Sequence, residues 1–269
     1  MRRETFDTPW EPTLAVKVPT GRIDVEAVAG ATATEVELDI RDGDDAAELL
    51  EEARIELRGQ EVVVEVDDRR WSRFWRQLDV RLRIRVPEGA NLRVSTASGD
   101  LRGRGRFGWL EAEAASADIE VDELTGPATA KAASGDITLL AVGASAAVNT
   151  ASGDVRLGRV DGDVVVKTAS GDVAVEDAGG DVTISTASGD QRVDAVAAGS
   201  VDLKSASGDI KVGVRQGATL WVDARAMSGD LSSEVELGDE PPSGDEGPRV
   251  ELKAASMSGD IDVLRAPAL

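Results

Sequence analysis

The sequence predicts an all-β chain wound as a parallel β-solenoid of ~18-residue, two-strand coils, with a small α+β excursion near the N-terminus. Three observations predict it. A Ser-Gly-Asp triplet recurs at a fixed spacing. Small residues, mostly glycine, recur at half that spacing. Between them apolar and polar residues alternate, the pattern of half-buried strands.

The triplet begins at Ser98, Ser134, Ser152, Ser170, Ser188, Ser207, Ser228 and Ser258, and Ser116-Ala117-Asp118 fills the first gap. The spacing is eighteen residues up to Ser188, then nineteen, twenty-one and thirty. A further Ser243-Gly244-Asp245 sits in a Pro/Gly-rich stretch with no alternation after it, and reads as loop. Counting by nine from Gly99 lands on Gly108, Ala117, Gly126, Gly135, Ala144, Gly153, Gly162, Gly171, Gly180 and Gly189. Each coil is therefore two strands and two tight turns. Glycine is expected to supply the special backbone angles at both corners.

After the triplet corner come pairs such as Ile119 and Val121, Ile137 and Leu139, Val155 and Leu157, Val173 and Val175, and Ile210 and Val212. After the opposite corner come Val164 and Val166, Val182 and Ile184, Val201 and Leu203, and Leu220 and Val222. Lys167, Thr183, Asp202 and Lys211 fall between them. Two sheets are expected to face each other across a thin core, each strand pairing with its equivalent one coil away, about 4.8 Å off. Successive coils in the sequence are expected to be neighbours in the stack. One coil is too small to stand alone, so the stack is cooperative. Gln191 takes an aliphatic position in the ladder and predicts a local weak point.

Residues 1–28 read as a diverged first coil. Leu14–Val25 aligns with the stretch from Leu92 through Leu101, and Arg22 stands where later coils have Asp. Residues 29–88 form the excursion, expected to cap one open end of the stack. Within it Thr34–Ile40 alternates as a strand, Asp44–Ala53 reads as a helix capped by Asp44 or Asp45, and Ile55–Leu57 and Val62–Val66 flank a Gly59-Gln60 turn. Leu78, Val80, Leu82, Ile84 and Val86 alternate up to Pro87. Residues 89–269 carry the repeats, with a loop insertion at 238–248, and Arg265-Ala266-Pro267 ends the last strand.

Composition excludes several function classes. The net charge of −21 opposes nonspecific nucleic-acid binding, and no nucleic-acid partner is expected. The chain has no Cys and no His, which removes disulfides, thiolate zinc sites, Ser-His-Asp catalysis and histidine metal sites. Met1-Arg2-Arg3-Glu4-Thr5-Phe6-Asp7 leads into no apolar stretch of signal-peptide type, and no run approaches the ~20 apolar residues of a membrane span. The expected location is cytoplasmic.

The opening Thr13-Leu14-Ala15-Val16 with Gly21-Arg22-Ile23-Asp24-Val25, the strand ending Val86-Pro87, and the Ser-Gly-Asp-aliphatic repeats are a recognisable set. In them the chain resembles a bacterial β-strand-repeat family of unknown function, solenoids labelled as adhesin-type. The resemblance spans almost the whole chain. It implies a β-solenoid and no particular activity.

Two candidate sites follow. The first is the turn ladder: Ser98 and Asp100, Asp118, Ser134 and Asp136, Ser152 and Asp154, Ser170 and Asp172, Ser188 and Asp190, Ser207 and Asp209, Ser228 and Asp230, Ser258 and Asp260. Carboxylates stacked ~5 Å apart repel by roughly 1 kcal/mol per pair even in water, so something must offset them. One answer is a structural role, each Asp and Ser accepting hydrogen bonds from turn amides. The other is a row of calcium sites, although one acid per turn is few for an ion that takes six to eight oxygens. No other cofactor is implied.

The second candidate is Arg69, Arg70, Trp71, Arg73, Phe74, Trp75 and Arg76. Three large aromatics among four arginines either fold back over the solenoid end or dock to a protein partner or an anionic membrane surface. Arg81, Arg83, Arg85, Arg93, Arg102, Arg104 and Arg106 extend this basic character. They pair with acidic strands carrying Glu61 and Glu65, or they present a basic end for head-to-tail self-association. An enzyme would need walls that the short central turns do not build. The Thr150, Thr168 and Thr186 row lies at the turn rather than on a flat face, so an ice-binding ladder is not expected. The function expected is a non-enzymatic β-solenoid scaffold or protein-interaction module. The alternatives are a self-assembling filament protein and a carbohydrate-active or carbohydrate-binding solenoid.

Overall fold

The computed structural model describes residues 1–41, 46–66, 79–234 and 248–266. Among them the chain is nearly all β and winds as a parallel β-solenoid, with one short helix. By packing it forms two units, Met1–Leu139 and Leu140–Leu269.

The first unit holds β1 (Arg2–Asp7), β2 (Thr13–Val28), β3 (Ala33–Arg41), α1 (Ala46–Glu52), β4 (Arg54–Arg58), β5 (Glu61–Glu65), β6 (Asp79–Pro87), β7 (Asn91–Phe107), β8 (Leu110–Ser116), β9 (Ile119–Leu124) and β10 (Ala128–Ser134). β2 and β7 each run through a corner and pair along their length in the register the sequence suggests, Leu14 beside Leu92, Gly21 beside Gly99 and Arg22 beside Asp100. β7 then pairs in parallel with β8 and β9, and β8 with β10. On its other side β2 pairs in parallel with both β5 and β6. These strands of the excursion thus complete an outer coil. Beyond it the pairing turns antiparallel: β4 on β5, β3 on β6 and β1 on β3. Leu49 of α1 is buried, and Arg2 Nη1 donates to the Ala53 carbonyl at 2.6 Å just past the helix. Asp44 and Asp45, read as its cap, lie outside the described residues.

β11 (Ile137–Val142) spans the division between the units. The second unit continues with β12 (Ala146–Ser152), β13 (Val155–Val160), β14 (Val164–Ser170), β15 (Val173–Ala178), β16 (Val182–Ser188), β17 (Gln191–Val196), β18 (Gly199–Ser207) and β19 (Ile210–Val214). After them come β20 (Thr219–Ala226), β21 (Leu231–Ser233), β22 (Arg249–Ser258) and β23 (Ile261–Arg265). Pairing is parallel, with equivalent residues side by side: Val164 beside Val182, Val155 beside Val173, Ile184 beside Leu203. Val164, Val166, Val182, Ile184, Val201 and Leu203 are all fully buried, as the alternation requires.

Coil order departs from expectation at the end. β18 and β19 do not pair with β20 and β21, the next coil in sequence. They pair with β22 and β23, and β20 and β21 stack outside those. The last coil of the sequence is therefore inserted in the slot before the penultimate one. Side-chain chemistry accounts for this. The inner slot buries both sides of a coil, and β22 and β23 fill it with Val250, Leu252, Ile261 and Val263, all at most 1% exposed. In the same columns the outer coil offers Leu231 opposite Ile261 and Ser233 opposite Val263. Placing Ser233 inside would bury a hydroxyl in an apolar column, at roughly 1–3 kcal/mol without a partner.

The two corners use glycine differently. At the triplet corner, Gly135, Gly153, Gly171, Gly189, Gly208, Gly229 and Gly259 have φ between +115° and +143°, backbone that side chains rarely adopt. At the opposite corner Gly162 and Gly180 have ordinary φ. There a Cβ on Gly180 would lie 2.7 Å from the Gly162 carbonyl carbon, and one on Gly162 2.9 Å from that of Ala144. Gly162 and Gly180 are needed because adjacent coils approach closely, so at this corner the expected special backbone angle is found at Gly199, with φ +110°, and not at these two.

Gln191 is fully buried between Val173 and Ile210. Its Nε2 donates to Thr186 Oγ1 at 2.9 Å and to the Lys204 carbonyl at 2.7 Å, while its Oε1 has no partner. A buried acceptor without a donor costs about 1–3 kcal/mol. Gln191→Val, which restores the residue found at 155 and 173, is expected to raise the melting temperature by a few degrees in a thermal denaturation series. A fall would mean that the two donated hydrogen bonds outweigh the orphaned oxygen.

Candidate interaction surfaces

The triplet corner builds one continuous motif in each unit. At this corner the Asp amide is bonded by a side chain rather than by the backbone ladder. That amide donates to the Oδ1 of the neighbouring coil's Asp. In the first unit Asp118 N meets Asp100 Oδ1 at 3.2 Å and Asp136 N meets Asp118 Oδ1 at 2.9 Å. In the second the rungs are Asp172 on Asp154 (3.0 Å), Asp190 on Asp172 (2.9 Å), Asp209 on Asp190 (2.8 Å), Asp260 on Asp209 (2.9 Å) and Asp230 on Asp260 (2.8 Å). The rungs repeat the inserted coil order. Each carboxylate thus accepts a backbone N–H from its neighbour, which offsets the repulsion along the row. The Ser residues enter the backbone ladder through their carbonyls, as where Gly171 N donates to Ser188 O at 3.1 Å.

The threonines that precede this corner are buried, not displayed. Thr150 and Thr168 donate to the carbonyls of Ser152 and Ser170 at 3.0 and 3.2 Å. A second carboxylate ladder runs along the opposite corner, where Asp181 N meets Asp163 Oδ1 at 3.0 Å and Ser200 N meets Asp181 Oδ1 at 2.7 Å. Sequence reasoning missed it, although Gly162-Asp163 and Gly180-Asp181 sit at the nine-residue half-step. Among the described residues no cluster of three or more acidic side chains is arranged to hold a metal ion.

These rungs predict a contrast at Asp172. Asp172→Ala removes the acceptor of the Asp190 amide and is expected to cost about 1 kcal/mol in chemical denaturation. Asp172→Asn keeps an acceptor oxygen while removing a charge from the row, and is expected to be neutral or stabilising. Equal losses in both variants would mean that the charge itself matters, as a cation site requires.

Arg69, Arg70, Trp71, Arg73, Phe74, Trp75 and Arg76 lie outside the described residues, as do residues 238–247 of the predicted loop insertion and Pro267. The arginines that follow are described, and they form part of a charge lattice. Across one outward face the row Arg3, Glu37, Arg83, Asp24, Arg102, Glu120 alternates in sign from strand to strand through β1, β3, β6, β2, β7 and β9. Arg3 bonds Glu37, Arg85 meets Glu26 at 3.1 Å and Arg102 meets Glu120 at 3.4 Å. A shallow groove of about 650 Å³ lies over this face. On the other sheet Arg93 bridges Glu61 at 2.9 Å and Glu111 at 3.1 Å, and stacks on Trp109. At the edges the Arg41 guanidinium holds the Asp39 carboxyl below its ordinary range, and Glu123 raises Arg106. Exposed pairs of this kind contribute little stability singly. In register they oppose slippage, because a shifted strand would set like charges side by side.

One surface stands apart. The residue before each triplet is Ala97, Ala133, Ala151, Ala169, Ala187 and Ala206 in earlier coils, but Met227 and Met257 in the last two. These methionines are 83% and 57% exposed, on adjacent coils, and Leu231 of β21 is 51% exposed.

Compared with known proteins, the chain matches the family model described as Toastrack DUF4097 over residues 7–163 and again over 72–264. The chain belongs to the Toastrack DUF4097 family. The two Toastrack matches overlap across 72–163, as expected of a repeat that can be aligned with the family pattern in two positions. No curated protein matches. Among solved structures the chain is similar to a putative adhesin from Bacteroides fragilis NCTC 9343, with 12% identity, a TM-score of 0.37 and coverage of 98% of this chain and 97% of that one. It is also similar to a putative lipid binding protein from Parabacteroides distasonis ATCC 8503, at 11% identity and TM-score 0.37, covering 98% and 97%. A putative cell adhesion protein from Clostridium sporogenes ATCC 15579 matches at 10% identity and TM-score 0.26, covering 98% and 99%. Toastrack is a family of unknown function, and neither it nor these neighbours is named for an enzymatic activity. No helix among the described residues is long and apolar enough to cross a membrane.

Proposed function

We propose that this Toastrack chain is a non-enzymatic scaffold that holds a contact segment, residues 69–76, against a protein partner. The observation that carries the reading is how the charged and polar groups are spent. The carboxylate rows accept backbone amides, and arginines of the outward faces pair with acids on neighbouring strands. The basic aromatic stretch Arg69–Arg76 has a composition that suits an interface, since Trp and Arg are the residues that most often anchor one. Docking of the same stretch to an anionic lipid surface is the second reading, favoured by its four arginines interleaved with aromatics.

The test compares the full chain with its Trp71→Ser, Trp75→Ser double variant. Partner capture from the native host is expected to be lost in the variant while the melting temperature is kept. Co-flotation with vesicles containing phosphatidylserine, but not with neutral ones, would favour the lipid reading. A lowered melting temperature with unchanged capture would show that the two tryptophans cover the fold, and would end both readings.

A further inference from the structure

The second unit ends on β20 and β21, and that end is incompletely covered. Val222, Ala224 and Ala226 face the core columns but are only half-buried, whereas Leu252 and Ala254, beside Val222 and Ala224 one coil in, are 0% and 2% exposed. Met227, next in the chain after Ala226, and Leu231 of β21 are exposed. Among the described residues no strand pairs with the outer side of β20. An eight-residue edge strand with an apolar flank is a template for a further strand.

The sequence of β20 indicates which strand. Laid antiparallel on a second β20 about Ala224, it is its own complement. Asp223 then stands opposite Arg225 of the partner copy, and Arg225 opposite the partner copy's Asp223. On the same face Trp221 meets Met227 of the partner copy, a favourable sulfur–aromatic pair. On the inner face Val222 meets Ala226 of the partner copy, and Ala224 meets itself. Residues directly opposite in an antiparallel pair share a face, so each match is sterically consistent. Within one chain Arg225 already holds Asp223 through two bonds of 3.1 and 3.2 Å. A two-fold pairing would turn this ion pair into a square of alternating charge. A parallel or shifted pairing would lose that match.

We propose that the chain forms a two-fold dimer by antiparallel pairing of β20 with β20 of a second copy, centred on Ala224. This goes beyond the contact assigned to residues 69–76 and uses a different surface. The contact is self-complementary and closes at two copies, so it builds a dimer and not a filament.

Sedimentation velocity of the full chain over a wide concentration range is expected to show a species of twice 28.1 kDa. Arg225→Asp sets carboxylates opposite each other twice and is expected to return the monomer. Exchanging the pair, Asp223→Arg with Arg225→Asp, is expected to restore the dimer. The chain has no cysteine. Ala224→Cys is therefore expected to oxidise to a disulfide-linked dimer, because residues on such a two-fold axis lie about 4.5–5.5 Å apart, within disulfide reach. Lys167→Cys, on an exposed face away from β20, is expected to give no disulfide-linked dimer under the same oxidation. A single 28.1 kDa species at every concentration would overturn the proposal. So would a dimer that survives Arg225→Asp, or an Ala224→Cys chain that fails to cross-link.

Discussion

Gly171→Val is expected to lower stability by about 3–5 kcal/mol, roughly 10 °C in melting temperature for a chain of this size. Two effects add. Gly171 has φ +132°, where a β-branched residue is strained by about 1–3 kcal/mol. Its Cβ would also overlap the Gly153 carbonyl of the neighbouring coil, so the coils must part or the corner must refold. Gly217 separates the two effects. It has φ +88°, but a Cβ added there would meet nothing within 4 Å, so Gly217→Ala is expected to cost only about 1–2 kcal/mol. Thermal melts of both variants provide the check. A Gly171 variant no worse than the Gly217 one would mean that neighbouring coils do not meet at this corner.

Truncation after Gly247 is expected to unfasten the coil that precedes the cut as well as remove the one that follows it. β22 and β23 lie between β19 and β21, so their loss strips β20 and β21 of their strand partners. It also uncovers Val201, Leu203, Ile210 and Val212, each fully buried in the intact chain. Burial of a large aliphatic side chain is worth about 1.5–3 kcal/mol, so several such exposures approach the stability of a whole domain. Hydrogen exchange is the direct readout. Amides of residues 219–226 are expected to be protected in the full chain and to exchange at once in the truncated one. Retained protection would mean that β20 and β21 had moved into the empty slot, with Ser233 buried in the place of Val263.

The period of the solenoid was legible because corners and core columns each repeat. Ser170, Gly171 and Asp172 predict the turn, and Val164 and Val182 predict the buried columns. The antiparallel strands of the excursion were legible from alternation alone, but the parallel pairing of β5 and β6 on β2 was not, since Val62 and Leu82 carry no mark of which strand they will meet. Coil order failed for a related reason. Coils with one register are interchangeable partners, and the periodic signal is blind to which lies next to which. Only an individual column decides it, as Ser233 against Val263 does, and that comparison requires knowing that one slot is covered on both sides. The ladder rungs were half legible. A role for Asp in holding amides follows from its chemistry, but the donor belongs to the next coil and not to the same turn. Gln191 looked like a weak point, and the structure adds what the sequence cannot, that Nε2 is satisfied while Oε1 is not.

Oxidative cross-linking of paired cysteines tests the wound stack and its inserted last coil together. In the structure Asp202 lies beside Lys253 in parallel register, and Asp223 lies one coil further out. The variant Asp202→Cys, Lys253→Cys is expected to close an intramolecular disulfide, and Asp202→Cys, Asp223→Cys is not. Closure of the second pair with none of the first would return the coils to their order in the sequence. Closure of neither would contradict the parallel stacking itself.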